Sequence, residues 1–401
     1  MRIEELRVRD TPTGRRACAT LVAEVGDRAA RTLWYEVDGP ASRALGADPE
    51  GFLAAATAVA VHRGEARVRL EAPVCPALVA GLTEAMRLHG HWDAAHRPVA
   101  LDVGGAADLR PTTPARASLF LSGGVDSLSL LAADRRTLPR DHPDAFRDAL
   151  FVFGANTYDF AGDDPDPVRV RAWDEQRVRL ERLAAATDLE LVAVRTNVRT
   201  FFANFHAWAY LGLGPSLFAV AHLLRRRLSR ATVAAHGYGA WQRKYGSHPI
   251  LDACLSSGAV ATRCGEPMAM RQEKLATVAA WPEGLAALQV CTMRAPPEAG
   301  VAHCGRCEKC LRTMLGLVAL GALGRATTFP RRDLTPADLA SYSPASDPHR
   351  HFSGPLEAGL RAAGRDDLAD ALAARVARAD RRARPLSRWL RRVRRSLRAR
   401  R

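Results

Sequence analysis

Apolar positions along the chain follow three successive regimes. In residues 1–110, two short runs rich in β-branched and apolar residues, ACATLVAEVG (17–26) and RTLWYEVDG (31–39), predict strands. PALVAGLTEAMRLHG (76–90) places Leu78, Leu82 and Met86 four apart, the spacing of a helix face. From residue 117 the chain alternates short continuous apolar runs with helical spacings. ASLFL (117–121), ALFVFG (149–154), LELVAVR (189–195), ATVAAHG (231–237) and LQVC (288–291) read as buried strands. DSLSLLAADRR (126–136), PSLFAVAHLLRRRL (215–228) and MRQEKLATVAAW (270–281) read as helices, and FANFHAWAYLGLGP (202–215) as helical core. After about 325 only helical patterns remain, in 331–344 and 355–379.

This alternation predicts an α/β fold: a parallel five-stranded sheet with helices on both faces. An N-terminal α+β domain precedes it and a helical C-terminal extension follows. The Pro- and Thr-rich joint DLRPTTPARA (108–117) sets the first boundary. The expected domains are 1–112, 113–325, 326–380 and a tail, 381–401.

Composition changes this picture in three places. With 47% hydrophobic and 25% charged residues over 401 positions, the chain is globular, neither fibrous nor disordered overall. The mean hydropathy of −0.15 and the lack of an apolar run of about 18 residues argue against a transmembrane segment. The charged start MRIEELRVRDTPTGRR has no apolar signal region, so a cytoplasmic protein is expected. The net charge of +15 is concentrated: residues 381–401 hold eleven Arg and no acid, and the other 380 residues carry only +4. The tail puts Leu386, Trp389, Leu390, Val393 and Leu397 on one helical stripe opposite an Arg face. It suits anionic lipid or nucleic acid, or stands as a solvated end. Only three Lys (Lys244, Lys274, Lys309) stand among 55 Arg, marking positions that keep a compact ammonium.

Two motifs carry chemistry. Ser122-Gly123-Gly124-Val125-Asp126-Ser127 lies between a predicted strand and a predicted helix. Glycines allow a sharp turn and close backbone approach, and the helix N-terminus directs amides and a positive dipole at an anion. The Ser122 and Ser127 hydroxyls add donors. Asp126 would repel a phosphate, so its expected task is to hold Mg²⁺ or to order the loop. No Lys follows the glycines, which excludes the GxxxxGK[ST] loop. The second motif is Cys291, Cys304, Cys307 and Cys310, four of the eight cysteines within 20 residues. In a reducing compartment such crowding points to metal rather than disulfides. Four thiolates suit tetrahedral Zn²⁺, an iron–sulfur cluster accepts the same donors, and His303 is an alternative ligand.

SGGVDS resembles the PP-loop of the N-type ATP pyrophosphatases, the adenine nucleotide α-hydrolase superfamily. With HCGRCEKCLRTM some 170 residues later, 116–320 is similar to the 7-cyano-7-deazaguanine synthase family within it. The resemblance implies the parallel sheet of that superfamily, with ATP across the carboxyl ends of its strands and the loop gripping the pyrophosphate. It implies cofactor contacts from Ser122, Gly123, Gly124, Val125, Asp126 and Ser127. FVFGANTY stands where the family has a nucleotide-side loop, which adds Gly154. RQEKLATV aligns Arg271 and Glu273 with a basic and an acidic position of a family helix. The implied activity is that of an ATP-dependent ligase forming AMP and pyrophosphate. It activates a carboxylate for attack by ammonia or another amine, giving an amide, and a second round of activation on the amide gives a nitrile, with Mg²⁺ at the phosphates and Zn²⁺ bracing the fold.

The chain departs from the family in its 115-residue N-terminal segment, its C-terminal extension and the longer Cys291–Cys304 gap. The loop HGYGAWQRKYGSHPILD (236–252) supplies rings for stacking and Lys244 or Arg243 for a carboxylate or phosphate. Asp126, Ser127 and Lys244 are therefore the candidate catalytic residues. Two other readings fit the motifs: a tRNA-modifying thiolase with a persulfide on Cys254 or Cys264, and a non-catalytic ATP-binding module that docks a protein partner through 1–112.

Overall fold

The computed structural model describes all residues except 27, 112–115, 156–159, 162–163, 166, 238–243, 292–300, 345–350 and 384–401. The linker Thr112, the loop residues Tyr238, Trp241 and Arg243, the NTY of FGANTYDF and nearly all of the Arg-rich tail lie outside the described residues. The chain divides into two compact units, Met1–Ala269 and Met270 onward.

The first unit opens with β1 (Arg2–Asp10), β2 (Gly14–Val22), β3 (Ala30–Asp38), α1 (Pro49–Arg63), β4 (Arg67–Leu70), α2 (Pro76–Trp92) and β5 (Ala100–Val103). It continues with β6 (Ala117–Phe120), α3 (Val125–Thr137), β7 (Phe146–Phe153), the two-residue pair β8 (Phe160–Ala161) and β9 (Asp164–Pro165), and α4 (Pro167–Ala186). Then come β10 (Glu190–Thr196), α5 (Phe205–Ala207), α6 (Leu213–Leu223), β11 (Arg230–Ala234), α7 (Pro249–Cys254) and β12 (Ala261–Gly265). The second unit holds α8 (Arg271–Ala279), α9 (Pro282–Ala286), α10 (Glu308–Ala319) and helices over Ser353–Ala362 and Asp366–Ala383.

The sheet corrects the expected fold class. Among the described residues ten strands form one mixed sheet, in the order β12-β11-β6-β7-β10-β3-β2-β1-β4-β5, and not a five-stranded parallel sheet of the PP-loop type. From β12 to β10 every pairing is parallel. At β10 the sheet continues into β3 by antiparallel pairing, and β3, β2 and β1 form an antiparallel meander. Side chains fix the β3–β10 seam. Asn197 accepts from the Trp34 amide at 3.0 Å and donates to the Thr32 carbonyl at 2.8 Å. The Thr196 hydroxyl donates to the Trp34 carbonyl, and Arg195 reaches both carboxylate oxygens of Asp38 at 2.9 and 2.8 Å.

A second correction concerns LQVC. Residues 288–291 form no strand; they belong to the second unit, where the Val290 amide donates to His303. The outermost parallel strand is Ala261–Gly265, which pairs with β11 over five residues. Its alternating exposure is that of an edge strand, and a search for continuous apolar runs misses it. A search for amphipathic spacing misses α1, whose Phe52–Val61 stretch is buried on every side and shows no polar face.

At the amino ends of the parallel strands Asp148 of β7 is fully buried and receives two guanidinium groups. Arg116, just before β6, contacts it at 2.5 and 2.9 Å, and Arg227, before β11, at 2.6 Å. Both arginines also reach Glu190 of β10. Two carboxylates and two guanidinium groups thus tie together the starts of four strands, β6, β7, β10 and β11. Removing one partner of a buried charge cluster leaves the others uncompensated. Asp148→Asn is therefore expected to lower stability by about 3 kcal/mol, read as a fall in the urea midpoint at unchanged m.

Candidate functional site

The glycine loop occupies the carboxyl end of β6, between β11 and β7 in the sheet, where open α/β sheets place their ligands. Gly123 adopts φ +77°, a left-handed conformation that favours glycine. Ser122 is exposed; its Oγ accepts from the Gly124 amide at 3.2 Å and lies 3.3 Å from the Ser127 Oγ. Ser127 is buried and donates to the Gly124 carbonyl at 3.1 Å, which sets the turn into α3. Val125 is buried in the core, so it orients the loop rather than facing a ligand. Asp126 is half-buried in the first turn of α3, where the helix dipole favours a carboxylate. Gly154, also left-handed at φ +89°, ends the neighbouring strand β7. The structure thus brings Ser122–Ser127 and Gly154 to adjacent strand ends.

Beyond β11 the chain returns to α6 and α7. Lys244 is exposed and its Nζ donates to the Trp92 carbonyl at 3.3 Å, at the end of α2. His248 is buried and caps α7, accepting from the Ile250 amide, and its ring packs edge-on to Trp92 at 5.0 Å. Asp252, wholly buried, holds this segment: it accepts from the Ser247 hydroxyl at 2.8 Å and the His248 amide at 3.1 Å. Burial pushes its carboxyl up to about 7. Burial also raises the Cys254 thiol, and the Glu84 and Asp252 carboxylates add to the effect, so Cys254 is a poor thiolate.

Arg271 stands at the start of α8, in the second unit, and Glu273 is spent on its own helix, accepting from the Met270 amide at 2.7 Å. The same unit contains the cysteine centre. Cys304 and Cys307 flank Gly305, whose φ of +66° turns the chain; a Cβ there would meet Pro330 at 2.6 Å. Cys307 caps α10 and Cys310 sits in its first turn. The four sulfurs lie within 4.8 Å of one another, and Cys304 and Cys310 are 3.8 Å apart. A tetrahedron with Zn–S bonds of 2.3 Å has edges of about 3.8 Å, so the spacing fits one ion. Two amides point at sulfurs, Cys304 N to Cys291 at 3.4 Å and Cys307 N to Cys304 at 3.3 Å, as thiolates require. Hydrogen bonds from the Cys291 and Cys310 thiols hold Cys307 far below the usual thiol range, while the contacts with Cys291 and Cys307 push Cys310 far above it. Three of the sulfurs are buried and Cys307 is half-buried; four thiolates at this distance would repel one another, and a divalent cation would remove the conflict. The cluster is compatible with a bound metal ion such as zinc.

His303 is not a ligand. It is fully buried, its Nε2 accepts from the Val290 amide at 3.0 Å, and its Nδ1 donates to the Thr328 carbonyl at 2.8 Å. Its ring stacks on Phe329 at 3.9 Å. The Nε2 bond joins the Cys291 and Cys304 segments, and the Nδ1 bond fixes His303 to the segment at Thr328.

Sequence reasoning assigned His206 and Tyr210 to a helical core. Tyr210 instead lies in a π-helical turn, Trp208–Gly212, between α5 and α6, and both rings reach the surface. The signal available was the polar aromatic content of FHAWAY. Among the described residues no helix is long and apolar enough to cross a membrane. No protein-family model, no curated protein and no solved structure matches this chain.

Two outcomes are expected. Metal analysis should give about one divalent ion per chain. Cys310→Ser should lose it, whereas His303→Gln should keep the stoichiometry and cost about 2 kcal/mol of stability from its two buried hydrogen bonds. Separately, Asp252 keeps in the folded state a proton that the unfolded chain releases near pH 3.8. Its contribution is present below that value and is lost as pH rises to about 7. Asp252→Asn should remove this decline from urea midpoints measured between pH 4 and 8.

Proposed function

We propose that this chain is an ATP-dependent adenylating enzyme, a C–N ligase that releases AMP and pyrophosphate. The observation that carries the reading is the Ser122–Ser127 loop: a left-handed Gly123, an exposed Ser122 hydroxyl and a half-buried Asp126 at a helix N-terminus on the carboxyl end of a central parallel strand. Further support comes from its likeness to the PP-loop and from Gly154 on the next strand. The amides of the first turn of α3 receive the β and γ phosphates. A carboxylate or amide oxygen of the acceptor attacks the α-phosphorus, and pyrophosphate leaves with its bridging oxygen. Ammonia or another amine then opens the acyl-adenylate of a carboxylate, losing a proton as AMP departs and an amide forms; an adenylated amide instead loses AMP and a proton to form a nitrile. Ser127 shapes the turn, and Lys244 is a candidate for the acceptor carboxylate or a phosphate.

Asp126 would hold Mg²⁺, which would supply positive charge against the departing pyrophosphate. The oxygen donors at the loop, one carboxylate and two hydroxyls, suit that hard cation. The four cysteines Cys291, Cys304, Cys307 and Cys310 would hold Zn²⁺ through all four of its usual protein ligands, a structural rather than a catalytic role. A persulfide route draws no support from Cys254, whose thiol is pushed up.

The test is product analysis with ATP labelled at the α-phosphate, Mg²⁺, ammonia and a panel of carboxylates that includes 7-carboxy-7-deazaguanine. Labelled AMP with pyrophosphate is expected, falling about 10²-fold or more in Asp126→Asn. ADP and phosphate would overturn adenylation. Tight ATP binding without turnover on any acceptor would favour a binding module.

A further inference from the structure

We propose that His206, Tyr210, Tyr245 and His236 form a stacking platform for a planar heteroaromatic ring beside the phosphate loop. The inference names the ligand chemistry of the site read above as an adenylation site, and it rests on that reading only for the identity of the phosphate loop.

The four rings form a row. His206 and Tyr210 stack nearly parallel, 4.2 Å apart at 21°. Tyr210 meets Tyr245 at 5.4 Å and 59°, and Tyr245 meets His236 at 5.2 Å and 75°. His206 is exposed and the other three are half-buried, so the row lies at the surface. Its last member follows β11, the immediate neighbour of β6. Adjacent strands are about 4.8 Å apart, which sets the end of the row beside the strand that carries the glycine loop.

The platform is built rather than incidental. A π-helical turn loosens the backbone ladder, and such turns recur at functional sites. Here the Ala209 carbonyl accepts from the Gly246 amide at 2.8 Å, and the Gly214 amide donates to the Gly246 carbonyl at 2.8 Å. Gly246 thus docks into the turn on both sides, and a Cβ on it would meet the Ala209 oxygen at 2.8 Å. That docking fixes Tyr245, the preceding residue, against Tyr210. The bond from the Ser247 hydroxyl to Asp252 anchors the following residue. Rigid rings with polar edges give a ligand ring both a face to stack on and hydroxyl or imidazole groups at its rim.

The same chemistry has two sources, the adenine of ATP and a ring on the acceptor. Calorimetric titration of the full chain with adenosine, guanosine and indole-3-carboxylate separates them, with cyclohexanecarboxylate as the saturated control and pyrophosphate as the loop probe. Planar probes should bind and the saturated one should not. Tyr210→Leu and Tyr245→Leu should weaken ring binding about 10- to 100-fold. Tyr210→Phe and Tyr245→Phe should stay within about threefold, and pyrophosphate affinity should be unchanged throughout. A loss confined to adenosine assigns the platform to ATP; a loss in guanosine or indole-3-carboxylate with adenosine unchanged assigns it to the acceptor. Absence of ring binding to the wild-type chain at millimolar concentration, or Leu variants that bind every ring as the wild type does, would overturn the proposal. Ring binding that persists in a chain unable to form AMP would retain the platform and remove the adenylation reading.

Discussion

The seam between β3 and β10 is the constraint on which the first unit depends. A parallel sheet ending at β10 would leave a row of backbone donors and acceptors unpaired. The antiparallel register of Val194 with Val37, Arg195 with Glu36 and Thr196 with Tyr35 removes that edge. Asn197 and Thr196 extend the ladder with side-chain bonds to the β3 backbone, and Arg195 adds its paired contact with Asp38. The N-terminal strands are therefore part of the same sheet as the glycine loop. Tyr35 of β3 continues this link into α6, donating to the Ser216 carbonyl.

Within that sheet the two ends have different tasks. The amino ends are clamped by charge, with Asp148 collecting Arg116 and Arg227 where no ligand is needed. The carboxyl ends are left to turns: Gly123 and Gly154 in left-handed conformations, and the segment around Gly246 docked into a π-helical turn. Among the described residues the loop itself carries the half-buried Asp126 carboxylate and the Ser122 and Ser127 hydroxyls.

The cysteine centre obeys a different logic. Its cysteines come from a tight turn and from Cys291, thirteen residues before the first of them, and the buried His303 joins the two segments through Val290 while its other nitrogen holds Thr328. The four-sulfur centre, with amides directed at its sulfurs, is compatible with a bound metal ion such as zinc. In the second unit it anchors the start of α10, whose buried face carries Leu311, Met314, Leu315 and Leu317.

Local chemistry was legible in the sequence. The glycine loop, the strands at 117–121, 149–154, 189–195 and 231–237, and the four cysteines all follow from short-range patterns, because turn geometry, apolar runs and thiolate crowding are properties of neighbouring residues. The sheet was not legible. Whether β10 ends a sheet or pairs with β3 depends on residues some 160 positions apart, and the alternating edge strand Ala261–Gly265 carries no continuous apolar run to announce it. The same limit hid the roles of single side chains. His303 became a tether because Val290 and Thr328 are folded against it, and Tyr210 became a surface ring because Gly246 enters the turn beside it. The sequence by itself determined which residues could turn, bind an anion or hold a metal. Only tertiary structure decided how the strands joined and which rings met, since both are set by long-range pairing that no local window contains.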